Sequence, residues 1–174
     1  MSFKKRSGTS PQKPTCSNIR IRSPDDAHKI FFGVHCGTLS MVTRRLDSNE
    51  RATIQTGSVY VWEESDASGI GIERWTDGKR WGPSRVQQEF LVYEETDNLE
   101  EDGIWSTRQL LAKKTYSAFV QTNLGRRKWH LCTYFEQSME TPLGTVDEIV
   151  ILQSLVVPLG MFVGARSVKP WVWF

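Results

Sequence analysis

Residues 71–85 read Gly-Ile-Glu-Arg-Trp-Thr-Asp-Gly-Lys-Arg-Trp-Gly-Pro-Ser-Arg, and no regular element can run through them. Asp77-Gly78 is a tight-turn signal, because glycine reaches left-handed backbone without penalty, and Gly82-Pro83 is a second break. The flanking runs alternate instead. Val59 and Val61 interleave with Tyr60 and Trp62 before the segment, and Phe90 and Val92 interleave with Leu91 and Tyr93 after it. Period two is the signature of a strand, so this part of the chain is strand, irregular basic loop, strand. The 7 Trp, 8 Phe and 4 Tyr agree with β-rich packing around aromatic anchors rather than a helical bundle.

A helix is expected from Ser23, which supplies an N-cap oxygen. Pro24 suits the first turn, and Asp25 and Asp26 favour its positive end. Ile30, Phe31 and Val34 share one face, and Gly37 can end the helix. Its acidic start would repel a phosphate, which makes it structural. Further on, residues 114–121 and 128–135 flank Asn123-Leu124-Gly125 and read as a hairpin. On its second strand Trp129, Leu131 and Phe135 share one face, and His130, Cys132 and Tyr134 the other. The expected organisation is a disordered basic leader (1–18), a first half (19–95), an acidic linker (96–107) and a second half (108–174). The apolar stretch 149–163 is interrupted by Gln153, Ser154, Pro158 and Gly160 and falls short of the roughly 20 residues of a membrane span, so a buried strand or helix is expected there. The fold class is α+β, mostly antiparallel sheet with a few helices.

With 22 Lys and Arg against 20 Asp and Glu, the net charge of +2 argues only weakly for a polyanionic partner. The charges are segregated, however. Lys4, Lys5, Arg6, Lys13, Arg20 and Arg22 occur without an acid among them, whereas Glu94, Glu95, Asp97, Glu100, Glu101 and Asp102 crowd together. Arg74, Lys79, Arg80 and Arg85 sit in the irregular loop beside the hydroxyls of Thr76 and Ser84. Guanidinium groups there could grip phosphates or enter a narrow minor groove. A solvated cationic hairpin whose Trp75 and Trp81 fill the core accounts for the same composition. Two more clusters, Arg44-Arg45 with Arg51 and Lys113-Lys114 with Thr115, Tyr116 and Ser117, strengthen the polyanion reading if all three face one way.

Catalytic constellations are poor. Gly69-Ile70-Gly71 lacks the third glycine of a dinucleotide loop, and neither a P-loop nor a nucleophile elbow occurs. Cys16, Cys36 and Cys132 form an odd set without a close pair, which points to a reducing compartment. His35-Cys36 and His130-x-Cys132 lack the companions of a zinc site and read as packed cysteine with hydrogen-bonded histidine. No enzyme activity, cofactor or metal is expected, and the N-terminus has no apolar export signal.

The chain closely resembles the WOPR-domain family of fungal transcription regulators, which control morphological switching and sporulation. The likeness rests on Thr43-Arg44-Arg45-Leu46, on residues 57–62, and above all on residues 72–78 continuing through Trp81-Gly82-Pro83-Ser84-Arg85 to residues 90–93. Lys113-Lys114-Thr115-Tyr116 and Trp129-His130-Leu131 carry it into the second half, and after Phe135 it fades. The resemblance implies two halves packed into one unit that binds an A/T-rich site on double-stranded DNA in the nucleus. It implies other transcription regulators as further partners, with no membrane and no small-molecule substrate. Carried over residue by residue, it gives a DNA-binding set of Arg44, Arg45, Arg74, Thr76, Asp77, Gly78, Lys79, Arg80, Ser84, Arg85, Lys113, Lys114, Thr115 and Tyr116. Arg74 and Arg85 lead for groove or phosphate contact, and Trp75 and Trp81 hold the loop. The competing expectation, from another class, is a β-rich protein-interaction module.

Overall fold

The computed structural model describes residues 10–67, 69, 71–96 and 109–167. Its centre is a six-stranded antiparallel sheet. The strands are β1 (Val59–Glu63), β2 (Arg85–Gln87), β3 (Phe90–Glu94), β4 (Leu111–Thr122), β5 (Gly125–Glu136) and β6 (Phe162–Gly164). Their order is β1-β5-β4-β3-β2, and β6 continues the β3 edge of β4 further along that strand. The expected hairpin is the long β4–β5 ribbon, which turns at Asn123-Leu124. Because β3 pairs with β4 and β1 with β5, strands from both expected halves belong to one sheet.

Helix α1 (Pro24–His35) forms as its caps dictate: Ser23 Oγ accepts the Asp26 amide, and Gly37 leaves the helix with φ of 76°. Ile30 and Phe31 are fully buried against one face of the sheet, among Val61, Tyr116, Trp129 and Leu131. The opposite face carries a second core of Tyr60, Trp62, Cys132 and Tyr134, covered by Val42, Leu46, Ile54 and Ile72 and flanked by the half-buried Trp75 and Trp81. Alternation along β1 and β5 feeds both cores at once. A second helix, α2 (Ser48–Ala52), is a single turn held by a capping box between Asp47 and Glu50.

Two expectations change. The leader was expected to be disordered through residue 18, yet from Gln12 it is tied to the body. Cys16 pairs with Val59, the buried Thr15 Oγ1 accepts the Val61 amide at 2.9 Å, and the Gln12 amide reaches the Glu50 carboxylate. Strand β1 is a sheet edge with unpaired backbone groups, and these short polar residues satisfy it. Residues 1–9 lie outside the described part, as does nearly all of the expected acidic linker. The stretch 149–163 is not one continuous buried strand or helix: it holds a single 3-10 turn at Val150–Leu152 and ends in the first two residues of β6, while Val150, Val156 and Leu159 are exposed. Gln153-Ser154, Pro158 and Gly160 break both periods, so Leu152 and Phe162 enter the core singly. Among the described residues, no helix is long and apolar enough to cross a membrane.

Candidate nucleic-acid interface

Residues 71–85 do not form a hairpin. Ile72 pairs with Glu64, where Gly71 has φ of 102° and any side chain would strike the Glu63 carbonyl. The chain then crosses the second-core face and returns as an extension of the sheet edge. There the Gly82 amide donates to the Glu94 carbonyl at 2.8 Å and the Thr96 amide to the Arg80 carbonyl at 3.0 Å, after which the chain enters β2. Gly82-Pro83-Ser84 is therefore an interruption in an edge strand.

Beneath this loop lies a buried polar brace. The Asp77 carboxylate accepts the Tyr134 hydroxyl at 2.8 Å, the Lys113 ammonium at 3.0 Å and the Trp81 indole N–H at 3.1 Å. Burial pushes this carboxyl's pKa up, but Lys113 and the hydrogen bonds from Trp81 and Tyr134 overcome that and hold it below the ordinary value. Lys113 also stands over the rings of Trp81 and Tyr93, at 4.4 and 5.0 Å. Trp75 donates its indole N–H to the Tyr134 hydroxyl at 2.8 Å and stacks on Trp62. Both indoles thus fasten the loop to the sheet.

With Asp77 and Lys113 turned inward, the loop presents Arg74, Gly78, Arg80, Ser84 and Arg85 exposed, and Thr76 and Lys79 half-buried. Arg85 pairs with Glu94 at 3.2 Å, both well exposed. Gly78, with φ of 72°, lies under Arg51, whose Nε is 3.6 Å from where a Cβ would stand. Helix α2 therefore carries the second cluster to the loop. Its Glu50 grips Arg44 at 2.6 Å, and that hydrogen bond foremost lowers the Glu50 pKa to about 2, while Arg45 is exposed.

The third cluster divides. Lys113 and Thr115 face the loop side; Lys114 and Tyr116 face the α1 side. Tyr116 is buried, with its hydroxyl 2.8 Å from His28 Nε2. Thr115 lines a cavity of about 480 Å³ with Arg74, Ser117, Lys128, His130 and Arg166. Period two made this division readable, since neighbouring strand residues cannot share a face. Arg51, Arg20, Lys128 and Arg166 are absent from the residue set that the resemblance suggests.

His130 is held by Ser117 Oγ at 2.6 Å and Glu64 at 3.2 Å, and burial lowers its pKa to about 4. Burial likewise pushes the Cys132 thiol up to about 12. Among the described residues no three His, Cys, Asp or Glu side chains gather as a metal site.

Most of the chain superposes on solved structures. The WOPR domain of Wor1 from Candida albicans, in complex with a 17 bp double-stranded DNA, aligns with a TM-score of 0.65 and 30% identity over 84% of this chain and 95% of that one. A complex of the same domain with a 13 bp duplex aligns with a TM-score of 0.66 and 31% identity over 84% and 92%. The fold is that of a WOPR domain. Residues 18–104 match the Gti1/Pac2 family, and the chain belongs to that family. Among curated relatives it is similar to the cAMP-independent regulatory protein pac2 of Schizosaccharomyces pombe, 47% identical over 77 residues that make up 44% of this chain and 32% of that protein. It is also similar to White-opaque regulator 1 of Candida albicans, 44% identical over 81 residues that make up 46% of this chain and 10% of that protein. The matched stretches therefore span a third or less of these relatives' length.

Proposed function

We propose that the chain binds double-stranded DNA at an A/T-rich site and acts in the nucleus as a fungal transcription regulator of developmental or morphological switching. On this reading its role is recognition rather than catalysis, and other regulators are further partners. The carrying observation is the division of labour in residues 71–85: Asp77, Trp75 and Trp81 fasten the loop to the sheet, while Arg74 and Arg80 project from a fixed backbone; Arg85, in register with Val92, belongs to the assignment as a phosphate contact from the opposite face of the sheet. Arginines held this way lose little freedom on entering a narrow minor groove or gripping a phosphate. Arg45, Thr76, Gly78, Lys79 and Ser84 border the same surface in this assignment, and Arg44 supports it through Glu50. The likeness to two duplex-bound WOPR domains supports the same partner.

Fluorescence anisotropy with an A/T-rich duplex against a scrambled one tests this. Arg74→Ala is expected to cost about 1–3 kcal/mol on the A/T-rich duplex and to narrow the preference between the two. Equal, weak binding of the unaltered protein to both duplexes would favour a protein-interaction module instead.

A further inference from the structure

Across the α1 face, the sheet register sets Arg85 of β2, Val92 of β3, Lys114 of β4 and Thr133 of β5 in one row. Neighbouring strands lie about 4.8 Å apart, so Arg85 and Lys114 rise from backbone positions roughly 10 Å from each other. The segment of residues 19–22 crosses nearby and adds Arg20. Together they line a part-open cleft of about 280 Å³, floored by Val92 and Phe135.

The charges in this cleft are one-sided. Among the described residues no carboxylate lines it. Arg22, at its margin, is already held by Asp26 and Asp147, both at 2.9 Å. Arg85 shares Glu94, which lies outside the lining. The Lys114 ammonium lies over the rings of Phe90 and Phe135, at 5.5 and 5.6 Å, rather than against an acid. Burial first, and then the guanidinium of Arg20, make Lys114 easier to deprotonate than an ordinary lysine. Two cations that repel each other in a half-buried cleft are relieved by an anion between them. A tetrahedral oxyanion suits the donors, since a planar guanidinium fork and a compact ammonium approach from different sides.

We propose that the cleft between Arg20, Lys114 and Arg85 is a phosphate-binding site on the face of the sheet opposite the Asp77 brace. The phosphate comes either from the backbone of the bound duplex or from a free phosphorylated small molecule. In the first case the inference rests on the DNA-binding reading; in the second it stands without it.

Full-length wild type, Arg20→Gln and Lys114→Gln are compared in two assays, after circular dichroism has confirmed the fold of each. The first is thermal stability with pyrophosphate against sodium chloride of equal ionic strength. The second is anisotropy on A/T-rich and scrambled duplexes over a salt series. A backbone phosphate predicts that both variants lose affinity on the order of tenfold for both duplexes alike, with the salt slope reduced by about one unit. A free phosphate predicts saturable stabilisation of the wild type by pyrophosphate, absent from both variants, with duplex affinity unchanged. Should Lys114→Gln fail to fold, Arg20→Gln carries both arms alone. Should the wild type bind no duplex, the DNA reading fails, and the pyrophosphate arm still decides the cleft. Unchanged duplex affinity together with pyrophosphate effects equal to those of sodium chloride, or equal in wild type and variants, would overturn the proposal.

Discussion

Asp77 and Lys113 meet at 3.0 Å with 5% and 12% of their side chains exposed, in a place where either charge alone would be costly. Asp-Gly is a local signal for a turn, and the chain does bend there, with Gly78 at positive φ and the Lys79 amide donating to Asp77 Oδ1. The partner thirty-six positions on is invisible to such a signal, since β4 brings it only through tertiary pairing. Asp77→Asn leaves the Lys113 ammonium beneath Trp81 without its counter-charge and is expected to cost about 3 kcal/mol in urea unfolding; Lys113→Met should cost a similar amount. The double variant removes both charges, and its loss should fall at least about 1 kcal/mol short of the two single losses combined. Strict additivity would show that the two side chains do not act as a unit. Arg74 makes the contrasting case: it is exposed, so Arg74→Ala should leave the urea midpoint almost where it was.

At the level of elements, the strands and α1 were legible because each rests on local information: period two for β1, β3, β4 and β5, and a cap, a proline and an acidic first turn for the helix. Strand β2 was not, because Arg85, Val86 and Gln87 are all exposed and show no buried alternation. The turn joining β2 to β3 hid it further. Gln88 and Glu89 both have positive φ, 50° and 69°, the geometry of a tight hairpin turn normally written with asparagine and glycine. Glutamine and glutamate give no such signal, and each pays a steric penalty in left-handed backbone. A Glu89 carboxylate oxygen is moreover buried without a hydrogen-bond partner among the described residues. Glu89→Gly relieves both costs and is expected to raise unfolding stability by about 1 kcal/mol, readable as a higher urea midpoint at unchanged slope. A destabilised variant would mean that the carboxylate is held favourably by its neighbourhood.

For the molecule as a whole, the two sequence-adjacent halves are packed into one unit by sharing a single sheet. Strand β1 lies at one edge of the sheet and β2 and β3 at the other, with the β4–β5 ribbon between them, so what the N-terminal part contributes is held apart by the C-terminal part. Each core likewise draws on both sides of the chain: Val59 and Phe31 pack with Leu131 and Tyr116, and Tyr60 and Trp62 with Cys132 and Tyr134. Neither part can bury its apolar surface alone, and this arrangement could not be read from local pattern, because strand order depends on pairing across long separations. Cooperative unfolding follows. With a protease site placed between Thr96 and Gln109, the cleaved protein is expected to remain one complex on gel filtration, to melt in a single transition, and to bind the A/T-rich duplex as the uncut protein does. Each fragment expressed separately should be unfolded by circular dichroism, and mixing the two should restore the β signal. A folded N-terminal fragment that binds DNA unaided would instead place recognition wholly within residues 1–96 and leave the ribbon as scaffold.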